Sequence, residues 1–128
     1  GSTDAHVSQY QLDVLPFPTF ADTPADAALR DQANALLTAG RPGEVDAVLA
    51  DALAEPPFDR AIMDVLVEAV RKIAAIEAAR GTITRRERSR LDPKAQPYQN
   101  LIDRLLYRCA GLTNAEAAGL EQRLAEML

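Results

Sequence analysis

Apolar residues recur along most of this chain at helical rather than strand spacing. Leu101, Ile102, Leu105, Leu106 and Cys109 follow at one-, three- and four-residue steps, which puts them on one stripe of a helix. Leu29, Ala33, Leu36 and Leu37 form a second stripe, and Val45, Val48, Leu49 and Ala52 a shorter third. The longest stripe joins Phe58, Ile62, Val65, Leu66, Ala69, Ile73 and Ile76 and predicts a helix from Pro57 to Arg80, about 36 Å at 1.5 Å per residue.

Start and stop signals fall between these stripes. Thr23 supplies a hydroxyl cap, Pro24 a proline at the first helical position and Asp26 a carboxylate near the positive end of the dipole, so a helix is expected to begin at Thr23 and to close at Gly40. A second helix starts near Pro42 and is broken by Glu55-Pro-Pro57. Gly81 ends the long helix. Thr84-Arg-Arg-Glu87 has the capping-box spacing, in which Thr takes the N–H three residues on and Glu reaches back; it predicts a short helix through Arg90, after which Pro93 and Pro97 bracket a loop. Gly111 accommodates the left-handed conformation that ends the next helix, with Leu112 folding back on its last turn, and Thr113 with Glu116 repeats the capping box at the start of a C-terminal helix.

Residues 1–22 break the pattern. Val7, Tyr10, Leu12 and Val14 sit among polar residues with enough β-branched and aromatic character for a short strand or extended arm, and Pro16 and Pro18 hold the residues before them extended, with Phe17 and Phe20 placed to dock the arm on the helices. The expected fold is all-α: an irregular bundle of five to six helices over residues 23–128, with an extended N-terminal arm over 1–22.

Length and composition narrow this picture without redirecting it. A chain of 128 residues fits one domain, and its abundant alanine favours helices packed at close range. The single cysteine excludes an internal disulfide and any multi-thiolate zinc site, so Cys109 reads as a small buried hydrophobe of a cytoplasmic protein. No apolar run reaches membrane-spanning length and no basic-then-apolar leader is visible, so no membrane partner is expected. Charge is more informative. Residues 1–70 carry three Arg against twelve Asp or Glu, whereas residues 71–94 carry eight Lys or Arg against Glu77, Glu87 and Asp92. A basic segment on an acidic body leaves nucleic acid open as a partner.

Catalytic signatures are largely absent. The chain has no glycine-rich phosphate loop, no paired His at metal spacing and no nucleophile elbow, and no catalytic or metal-binding residue is assigned. His6 reads as a surface or strand-cap residue, and Asp59, Asp64 and Glu68 as the solvated outer face of the long helix. The one candidate site is basic: Arg80, Arg85, Arg86, Arg88, Arg90 and Lys94, with the hydroxyls of Thr82 and Thr84, are side chains of the kind that position a DNA backbone. The competing expectation is a solvated helix whose arginines are neutralised by Glu87 and Asp92, in a structural or protein–protein interaction bundle without nucleic-acid contact.

Two stretches carry a family resemblance. Ser2-Thr-Asp-Ala-His-Val-Ser-Gln-Tyr-Gln-Leu-Asp-Val-Leu-Pro-Phe-Pro18 resembles the end of the target-recognition region in type II restriction–modification enzymes whose adenine-N6 DNA methyltransferase and specificity regions share one chain. Leu101-Ile-Asp-Arg-Leu-Leu-Tyr-Arg-Cys-Ala-Gly-Leu-Thr-Asn-Ala-Glu-Ala117 is similar to the closing helical hairpin of the same proteins, with Cys109 or Ala110 where that motif has its second tyrosine. The resemblance covers the two ends of the chain and matches the middle only in helical character. It implies the C-terminal helical part of a DNA-modifying enzyme, bracing target recognition beside the remainder of the parent enzyme and double-stranded DNA. The family's Asn-Pro-Pro-Tyr element and S-adenosylmethionine loop are missing from these residues, so the cofactor is implied for the parent enzyme and none is expected in this part, which alone should methylate nothing.

Overall fold

The computed structural model describes residues 18–111 and, beyond them, Gly119, Gln122, Arg123 and Glu126. The arm through Phe17, with His6, and the Thr113–Glu116 capping box lie outside the described residues. The described chain is all-α. Its helices are α1 (Ala27–Thr38), α2 (Val45–Val48), α3 (Ala61–Ala79), α4 (Arg85–Arg88) and α5 (Gln96–Cys109), with a 3₁₀ turn at Pro42–Glu44 leading into α2.

Asp26, rather than Thr23, caps α1. Its carboxylate accepts the Leu29 N–H at 3.1 Å, while its own N–H donates to Asp59 Oδ1 at 3.0 Å. That tertiary bond fixes the cap three residues later than the sequence signal, and Pro24 falls in the lead-in. At the other end Gly40 has φ +75°, and the N–H groups of Gly40 and Arg41 reach Leu37 O and Leu36 O at 3.1 and 2.8 Å, a Schellman closure. A Cβ built on Gly40 meets nothing within 4 Å, so Gly40→Ala is expected to cost about 1 kcal/mol from backbone conformation alone, read as a lower urea midpoint with unchanged slope.

The second helix is shorter than its stripe suggests. Its α-helical part is a single turn, yet Val45 and Leu49 are fully buried and Val48 and Ala52 pack at the margin, as the spacing predicts. The long helix begins at Ala61, not Pro57, and spans about 28 Å rather than 36 Å. Phe58 is buried but not helical. It pairs with the chain before α1 through Ala21 N–H to Phe58 O and Phe58 N–H to Thr19 O, both 2.8 Å, and its ring meets Phe20 edge-on at 6.1 Å. Asp59 likewise leaves the outer helix face assigned to it. Its Oδ1 accepts the N–H groups of both Asp26 and Ala61, tying the starts of α1 and α3 together.

These ties set the directions of the helices. Arg30 of α1 lies 3.8 Å from Asp64 of α3, so the two run parallel. The Asp92 N–H just before α5 donates to Glu77 Oε1 near the end of α3, so α5 runs back antiparallel. Pro97, expected in the loop, sits in the first turn of α5, where a missing N–H costs nothing. Leu37, Ile62, Val65, Leu101 and Leu105 are fully buried where α1, α3 and α5 meet, and the Tyr98 hydroxyl donates to Leu37 O at 3.2 Å across that junction. Leu106, expected on the inner stripe, is instead about half exposed at its edge. Arg104 forks onto Asp46 with two 2.9 Å bonds, pinning α5 to α2; the hydrogen bond and charge of Asp46 hold the guanidinium pKa above its usual range despite partial burial. Gly111, at φ +79°, ends α5 as its position predicts. Cys109 is a buried free thiol, its pKa pushed up by desolvation against the weaker opposing charge of Arg108.

Candidate nucleic-acid interface

The basic segment forms one turn of helix held against the end of α3. Thr84 Oγ1 accepts the Glu87 N–H at 3.1 Å and Glu87 Oε2 accepts the Thr84 N–H at 3.4 Å, so the capping box is complete. The helix stops at Arg88, two residues short of Arg90. A last turn-like bond from the Arg90 N–H to Glu87 O, 3.1 Å, keeps Arg90 close to it. Arg85 and Arg88 stand three residues apart within the turn and so neighbour one another on its surface. All four are exposed, as are Thr82 and Lys94.

The acidic residues of the segment are spent elsewhere. Glu87 serves the Thr84 N–H, Asp92 Oδ1 accepts the Lys94 N–H at 2.9 Å, and Glu77 Oε1 accepts the Asp92 N–H at 2.7 Å. Among the described residues, none of these carboxylates pairs with Arg85, Arg86, Arg88 or Arg90. Of the two carboxylates expected to neutralise the arginines, Asp92 lies 3.9 Å from Arg80, and among the described residues neither pairs with the four arginines of the turn.

Arg80 is the exception among the predicted contacts. Its side chain is only 13% exposed and turns inward, with Nη1 on Glu77 Oε2 (3.2 Å) and Arg90 O (2.8 Å), Nη2 on Glu87 O (3.1 Å) and Nε 3.9 Å from Asp92 Oδ2. Its place at the carboxyl end of α3 also suits a cation. Thr84 is partly committed by its capping role. Six of the eight predicted residues thus present open side chains, and two build the frame. Glu77 was not singled out from the sequence; its only signal there is the three-residue spacing to Arg80, common on any charged helix.

The opposite end of α3 has the opposite sign. A cleft of about 510 Å³ is lined by Asp26, Asp51, Glu55 and Asp59 together with Leu29 and Pro57. The length of α3, about 28 Å, separates this cleft from the arginines, so the chain's acidic face does not cover its basic turn within the described residues. No helix among the described residues is long and apolar enough to cross a membrane. Comparison with known proteins finds no matching family model, no matching curated protein and no matching solved structure.

Proposed function

We propose that this chain is the C-terminal helical part of an adenine-N6 DNA methyltransferase of the restriction–modification kind, and that Arg85, Arg86, Arg88 and Arg90, flanked by Thr82 and Lys94, hold backbone phosphates of double-stranded DNA. The observation that carries the phosphate role is that, among the described residues, Arg85, Arg86, Arg88 and Arg90 have no carboxylate partner while Glu77, Glu87 and Asp92 are engaged with other groups. Guanidinium groups left without carboxylate partners are free to fork onto phosphate oxygens. The enzymatic assignment is supported by the resemblance of the two chain ends. In this reading S-adenosylmethionine and the flipped adenine belong to the parent enzyme, and the present residues brace and anchor.

One observation favours a second reading. Met63, Val67 and Val70 follow at four- and three-residue spacing on α3, and each is about half exposed. Such a stripe suits a structural or protein-interaction bundle that docks on protein alone. Fluorescence anisotropy with unrelated duplexes separates the two. Phosphate contact predicts sequence-independent binding whose log K falls with log salt at a slope of about −3 to −4, because four neutralised phosphates release their counterions. A chain that binds no duplex at low salt leaves only the second reading.

A further inference from the structure

The basic turn does not hold its own shape. Four residues of helix form too few hydrogen bonds to offset the cost of nucleation in water. Order is imposed from α3 by Arg80, whose planar guanidinium donates to the carbonyls of both Glu87 and Arg90, one inside the turn and one just beyond it. Glu77 accepts from the same Nη1 that reaches Arg90 O and also takes the Asp92 N–H, so the start and the end of the basic segment are gripped at one point.

We propose that Arg80 is the positioning residue of the phosphate-binding turn: it clamps the Glu87 and Arg90 carbonyls so that Arg85, Arg86, Arg88 and Arg90 meet duplex DNA as a preordered array, without touching a phosphate itself. This rests on the phosphate-contact reading above. Three features carry it. The side chain is 13% exposed, whereas the four arginines it serves are open. Its charge is matched by Glu77 and Asp92, so it adds little to the outward field. Its bonds also need a fork. A lysine ammonium at the same place keeps the charge but lacks the rigid geometry that spans two carbonyls. Preordering matters because side chains and backbone immobilised only on binding subtract from affinity.

The test compares R80K and R80A with wild type, using the full chain and a duplex of unrelated sequence. In R80K, exchange of the Arg88 and Arg90 amides is expected to accelerate at least about tenfold, and duplex affinity to fall about tenfold. The slope of log K against log salt should stay at its wild-type value, since the number of phosphate contacts is unchanged. A direct contact at Arg80 gives the reverse: R80K binds as wild type, and R80A loses about 0.9 from the slope. That result, or unaltered amide exchange in R80K, overturns the proposal. Wild type that binds no duplex removes the phosphate reading and this role together, whereas wild-type binding that R80K leaves intact removes the Arg80 role alone.

Discussion

Replacing Arg85, Arg86, Arg88 and Arg90 together with alanine is expected to flatten the salt dependence of duplex binding. Each arginine that neutralises a phosphate contributes about 0.9 to the slope, so the four together account for a loss of about a hundredfold in affinity between 50 and 200 mM salt in wild type. The quadruple variant should show almost none of that dependence, and its binding at 50 mM salt should fall by about the same factor or more. Its stability should barely change, because the four side chains are exposed and make no ion pair among the described residues. Anisotropy titrations at several salt concentrations, beside urea melts of both proteins, measure the two effects separately. A variant that binds as wild type sinks the contact role of these residues.

The second large effect lies in the core. Leu101 is fully buried on α5, in the same cluster as Leu37, Ile62 and Leu105, and α5 packs along α3 and against the 3₁₀ turn and α2. Leu101→Ala removes apolar contact and leaves a cavity that the packed helices cannot fully collapse to fill, at a cost of about 3 kcal/mol. That is a large share of the roughly 5–15 kcal/mol that holds a domain of this size together. A urea midpoint well below wild type with an unchanged slope is the expected result, and a midpoint within error of wild type would show that α5 is not part of the cooperative unit. Duplex binding, measured where both proteins are folded, should be unaffected, because the arginines stand on the far side of the Arg80 clasp.

The elements were legible where a local signal sets them. Thr84 with Glu87 forms its capping box as spaced, Gly40 and Gly111 take the left-handed conformation that ends α1 and α5, and the apolar stripes bury Leu37, Val65 and Leu101. These outcomes depend on residues three or four positions apart, and a linear reading contains them. Boundaries set from a distance were misplaced. Thr23 looked like the stronger cap until Asp59, thirty-three residues on, took the Asp26 N–H. Phe58 followed the helical period but pairs instead with the chain beside Phe20.

The candidate site divides in the same way. The sequence alone determined that a run of arginines interrupts an acidic chain beside a capped helical turn, because charge and capping are properties of neighbours. It could not decide which of those arginines face outward. Arg80 and Arg90 carry the same side chain, and only the antiparallel return of α5 brings Asp92 beside Glu77 and draws the Glu87 and Arg90 carbonyls onto the Arg80 guanidinium. Tertiary structure therefore decided which carboxylates were already committed, and with them which positive charges stayed unpaired among the described residues. A hydrogen bond across fifteen residues depends on where packed helices put its two partners, and no spacing along the chain records that.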